Sequence, residues 1–223
     1  MKKQYLTICA VIGAGLLVTQ QLSAITLSFA NVVGANVEFL GINDTFHFNP
    51  GSSLLNQFRI TASDGVGDSV TDMGRINGTF HIGAITINGG LQTAPVTGVG
   101  SVVIHDGSGF DMSASLVWNE IQTSGTAGSL NLTGLLNLSS VTYHGAQSDL
   151  HAMAAPHVGT AVLSFTFIPA RTLTQLTANA SDKKTSFSGT LNAQTIPDGG
   201  ATLMMLGAGI VGMAFAGRSR KSN

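Results

Sequence analysis

Phe110-Asp111-Met112-Ser113-Ala114-Ser115-Leu116-Val117-Trp118-Asn119 decides the fold. Every even position is apolar and the odd positions are mostly polar, as a strand with one buried face requires. A helix would place its apolar side chains three and four residues apart. The same alternation recurs on both sides of this stretch. Ala161, Leu163, Phe165 and Phe167 are separated by Val162, Ser164, Thr166 and Ile168. Leu130, Leu132, Leu136 and Leu138 alternate with Asn131, Thr133, Asn137 and Ser139, and Phe187, Gly189 and Leu191 mark a last strand. Earlier candidates cover 26–33, 37–41, 44–48, 54–62, 76–88 and 99–105.

Turn residues punctuate these runs: Asn49-Pro50-Gly51, Asp64-Gly65, Asn88-Gly89-Gly90, Asp106-Gly107, Ser124-Gly125 and Ser181-Asp182. About ten short strands joined by tight turns predict a mainly β body, an antiparallel β-sandwich of jelly-roll type. A β-solenoid is the rival, since Gly, Asn, Ser and Thr also suit its corners. It would show a fixed repeat of roughly 20–30 residues, which this chain lacks. Gly145 to Pro156, with its Ala-rich centre, reads as a long loop or a single helical turn between strands.

Composition narrows the class further. Charged residues are 9% of the 223, against about 25% in ordinary soluble domains. The net charge of −1 hides an uneven distribution. Lys2, Lys3, Arg218, Arg220 and Lys221 flank apolar runs at the two ends, leaving Arg59, Arg75, Arg171, Lys183 and Lys184 in the body. Ten acids lie between residues 25 and 196, so the body carries 5 − 10 = −5. It offers no basic footprint for nucleic acid. The single cysteine, Cys9, lies in the N-terminal apolar run, so the body can form neither a disulfide nor a thiolate metal site.

The ends read as addresses. Lys2-Lys3, an apolar stretch from Leu6 to Val18 and Leu22-Ser23-Ala24 predict a secretory signal peptide over 1–24. The body then spans 25–195, and a tail occupies 196–223. That tail opens Ile196-Pro197-Asp198-Gly199-Gly200, continues as an uncharged run from Ala201 to Gly217, and ends on Arg218, Arg220 and Lys221. Seventeen helical residues reach about 26 Å, slightly short of a hydrocarbon core of roughly 30 Å. The basic end would hold the C-terminus in the cytoplasm.

In these residues the tail resembles the PEP-CTERM sorting signal of exosortase systems, and more narrowly its VPDSG variant, with Ile196 in the place of valine. The resemblance covers the last 28 residues. It implies a bacterial protein that is exported, held transiently in the membrane by a helix at 201–217, and processed near Pro197–Gly200 by an exosortase-type enzyme. It also implies delivery to the cell surface or the extracellular space, with signal peptidase as an earlier partner and exopolysaccharide as an associate. The body resembles β-rich passenger domains found ahead of such tails, and that likeness transfers no activity.

Few residues in the body suggest chemistry. Six histidines (His47, His81, His105, His144, His151 and His157) lack the close pairing that zinc sites use. Calcium suits loops of hard oxygen ligands better, and Asp106, Ser108 and Asp111 form the weak candidate. Asp64, Asp68 and Asp72 form a second acidic loop. Tight turns also favour Asp and Gly without any metal. Glu120 follows Trp118 closely, yet one acid beside one aromatic is not a paired hydrolase site. Trp118 shares its face with Met112 and Leu116 and is expected in the core, whereas Tyr143 is a candidate exposed platform for a sugar. The expectation is therefore a non-enzymatic exported protein of the cell surface or extracellular matrix. The alternative is a carbohydrate- or surface-binding module, with calcium as its only candidate cofactor.

Overall fold

In a computed structural model, the described residues are 25–51, 56–124, 132–178 and 182–193. Residues Ser23–Thr195 belong to one compact unit. The signal segment, the 196–200 motif, the run at 201–217 and the basic end lie outside the described residues.

The strands are β1 (Thr26–Asn31), β2 (Asn36–Leu40), β3 (Thr45–Asn49), β4 (Phe58–Ser63), β5 (Met73–Ile82) and β6 (Thr86–Asn88). They continue with β7 (Leu91–Thr97), β8 (Val99–His105), β9 (Asp111–Ser124), β10 (Leu132–Thr142), β11 (Val158–Thr166) and β12 (Lys183–Ala193). Two short helices, α1 (Ser148–Ala154) and α2 (Leu173–Leu176), sit before and after β11. The body is mainly β, as its alternation predicts, and Gly145 to Pro156 holds the seven-residue α1, more than the loop or single helical turn expected there. No helix among the described residues is long and apolar enough to cross a membrane.

Among the described residues every strand pairing is antiparallel, and the twelve strands form one large sheet. A solenoid would stack successive coils in parallel, which these pairings do not do. Following the ladders from β1 through β4, β5, β8, β9, β10, β11 and β12 returns to β1. A second circuit runs from β2 through β3, β5, β7, β9, β10, β11 and β12 back to β2. The long strands change partner along their length. Residues 111–117 of β9 pair with β8, and residues 120–124 pair with β7.

A bulge in β9 makes this exchange possible. Leu136 faces Trp118 while Leu135 faces Glu120, leaving Asn119 as the extra residue. The buried set accordingly shifts from 112, 114, 116 and 118 to 121 and 123. Phe110, the first residue of the diagnostic stretch, falls outside the strand and is exposed.

Among the described residues eight phenylalanines are buried, together with Trp118. Phe46 lies at the centre of this cluster, with ring centroids at 5.1 Å from Phe39, 5.3 Å from Phe80 and 4.9 Å from Trp118. Room for the indole comes from Gly134 on β10, where a Cβ would collide with the ring of Trp118. Beside this cluster, buried Gln57, just before β4, ties β3 to β5. Its Nε2 donates to Phe48 O at 3.0 Å and its Oε1 accepts from Ile76 N at 2.5 Å.

Candidate functional site

Three polar constellations stand out on the body, and the first contains the acidic loops. The turn between β8 and β9 is built by Asp106, whose Oδ1 accepts from Ser108 N at 2.7 Å and Phe110 N at 3.0 Å. Its Oδ2 accepts from the Tyr143 hydroxyl at 2.8 Å, and that hydroxyl accepts from Gln147 N at 3.1 Å. Burial opposes ionisation of Asp106 most strongly. The bonds from Tyr143 and from the Ser108, Phe110 and Gly109 amides outweigh it and hold the carboxyl below its usual range.

Tyr143 is thus buried and anchored, which corrects its reading as an exposed sugar platform. A phenol at the end of a strand buries its ring readily when a carboxylate receives its proton. The ring also packs edge-on against His151, with centroids 5.0 Å apart.

The loop between β4 and β5 meets α1 through two further aspartates. Asp149 is buried, accepting from Val66 N at 2.8 Å, Gly67 N at 3.0 Å and Ser69 Oγ at 3.0 Å. Asp68 reciprocates, accepting from Ser148 N at 2.6 Å and Asp149 N at 3.0 Å at the start of the helix. Asp64 accepts from Thr26 N at 2.7 Å. Asp72 accepts from Gln147 Nε2 at 3.3 Å. Burial first, and then the charges of Asp106, Asp68 and Asp149, raise its pKa. These loops are joined by carboxylates binding backbone N–H groups.

The calcium candidates are placed as follows. Asp106 is engaged as described, and Ser108 enters through its backbone N–H. Asp111 Oδ1 lies 2.7 Å from His105 Nδ1. Among the described residues, no three His, Cys, Asp or Glu side chains are grouped so as to hold a metal ion.

The second constellation is a cross-strand row on β12, β2 and β3. Glu38 lies opposite both Lys184 and His47. It accepts from Asn49 Nδ2 at 2.6 Å, with Lys184 Nζ at 3.1 Å and His47 Nε2 at 3.6 Å. Burial again works against the charge. The bonds from Asn49 and Lys184, with the charges of Lys184 and His47, keep the Glu38 pKa low.

The third lies on the outer face of β4, β5 and β8. Arg59 sits opposite Met73, Met73 opposite His105, and Arg75 follows two residues along the same face of β5. Among the described residues, neither arginine forms an ion pair within 4.0 Å of a carboxylate. Arg75 Nε and His105 Nε2 are buried without a hydrogen-bond partner. Next to Arg59 opens a groove of 390 Å³ lined by Asn31, Val33, Asn56, Thr61 and Met73 among others.

The remaining histidines do not assemble. His81 and His144 are exposed, His151 Nε2 is 2.6 Å from Gly145 O, and His157 Nδ1 is 3.0 Å from Val141 O. Glu120 lies within β9 beside the bulge. Sequence reasoning did not single out Asp149 or Gln147, whose partners lie tens of residues away, or the Arg59–Arg75 face, which only strand register brings together. No family model matches the chain, and no match to it was found among curated proteins or solved structures.

Proposed function

We propose that this chain is an exported, non-enzymatic protein of the cell surface or extracellular matrix, sorted by an exosortase-type system. The observation that carries the reading is the order within residues 196–223: Ile196-Pro197-Asp198-Gly199-Gly200, an uncharged run, then Arg218, Arg220 and Lys221. Signal peptidase acts first on the segment ending at Ala24. The run at 201–217 holds the protein in the membrane until the processing enzyme releases it, after which exopolysaccharide is its surrounding.

The passenger is a sandwich of jelly-roll type, with continuous strands joining its layers. Its geometry supports a carried body: Asp68, Asp106 and Asp149 spend their oxygens on backbone N–H groups that fasten loops. A cysteine-free body is also indifferent to an oxidising exterior.

The test is replacement of Pro197-Asp198 by Ala-Ala in the native host. The expected result is a protein that still leaves the cytoplasm but accumulates in the membrane fraction. Unchanged release of the variant would count against exosortase sorting.

A further inference from the structure

We propose that the outer face of β4, β5 and β8 is a binding site for an acidic saccharide, with Arg59 and Arg75 receiving its carboxylates. The site lies wholly within the body and does not depend on how the protein is sorted.

The first support is charge. The body holds five basic residues against ten acids. Two of the five, Arg59 and Arg75, stand on one face without a carboxylate partner among the described residues. The same cross-strand row continues through His105 to Asp111, so the positive charge is gathered at the Arg59 and Arg75 end of the face. Register places them on either side of Met73, with Arg59 opposite it and Arg75 two residues beyond. Such diagonal neighbours are about 7–8 Å apart, close enough for one ligand to span both.

The second support is donor geometry. A guanidinium offers two parallel N–H donors, the geometry a carboxylate accepts best.

The third support is shape. The groove beside Arg59 measures 390 Å³ and is lined by Ala, Val, Met, Asn and Thr side chains, within the range of small-ligand sites. Val33, 88% exposed, and Met73 offer apolar contact for sugar C–H groups, while Asn56 and Thr61 offer polar groups for hydroxyls. An extended peptide would instead look for an open strand edge. The strands beneath the groove have none to give: β1 pairs with β4 and β12, and β4 pairs with β1 and β5.

Calorimetric titration of the full chain with a galacturonic acid oligomer tests the site, using a neutral galactose oligomer and polyglutamate for comparison. The uronate oligomer should bind, more weakly as salt rises, and the neutral oligomer should not. Arg59→Gln and Arg75→Gln should each weaken binding about ten-fold, the loss of one charge-assisted pair, and Arg59→Lys should retain part of it. Val33→Asp changes a groove side chain that is 88% exposed, and it should weaken binding as strongly while keeping the parent's unfolding midpoint. The proposal is overturned if the uronate oligomer does not bind, if the arginine and Val33→Asp variants bind like the parent, or if the neutral oligomer or polyglutamate binds as tightly. Sorting is read separately, from cell location, so the two ideas can fail independently.

Discussion

At the scale of single residues, the carboxylates at the loop end set how stability responds to pH. Asp149 is ionised against the cost of burial because the Ser63 and Ser69 side chains and the Val66 and Ser69 amides donate to it. Asp149→Asn would turn an amide nitrogen toward the N–H donors of Gly67 and Ser69. Charge-assisted bonds are worth roughly 1.5–3 kcal/mol each, so a loss of about 2–4 kcal/mol is expected in urea unfolding. Asp106 and Asp149 have lowered pKa values in the folded state. Their contribution is complete above the ordinary carboxylate range near pH 4 and is lost as pH falls through the folded values.

Asp72 has the opposite sign. Its pKa is raised by burial and by the neighbouring acids. Its favourable share is present below the ordinary value and disappears as pH rises through the raised one. Asp72→Asn is therefore expected to raise the unfolding midpoint at pH 7 and leave it nearly unchanged at pH 3. A lower midpoint at pH 7 would show that the Asp72 charge is needed.

At the scale of elements, β9 shows both how much the sequence discloses and where it stops. Met112, Ala114, Leu116 and Trp118 are buried as their alternation requires. Period two cannot announce a bulge, so the shift at Asn119 and the continuation through Ile121 and Thr123 are visible only in the pairing. β8 matches its expected span of 99–105, and β1 to β3 fall within two residues of theirs. By contrast, β7 escapes pattern reading because Gln92 takes an inward position and Pro95 ordinarily speaks against a strand. The helix α2 does carry a local signal, a capping box in which Thr172 and Gln175 hydrogen-bond each other's backbone. Of the site, the Asp106 turn was legible locally. Its partner Tyr143, 37 residues away, was not.

The close approach of β10 to the core gives a prediction at the same scale. Gly134→Val would push a side chain into the Trp118 indole. Overpacking of this kind costs about 1–3 kcal/mol. Thermal unfolding should report the loss, and near-ultraviolet dichroism should report a displaced tryptophan. A Gly134→Val protein with the parent's midpoint and spectrum would contradict this packing.

Over the whole molecule, the two closed circuits share β5, β9, β10, β11 and β12. These strands are paired on both sides, whereas β6 pairs with β7 alone. In native-state hydrogen exchange, the amides of β9 to β12 should open only with global unfolding, and those of β6 should exchange by local fraying. Equal rates in β6 and β10 would deny that closure governs stability.

The most direct measurement of the sorting account is the intact mass of the protein recovered from each fraction of its native cells. The account predicts a form outside the cytoplasm that lacks residues 1–24 and ends near Pro197–Gly200. A full-length mass found only in the cytosol would contradict it.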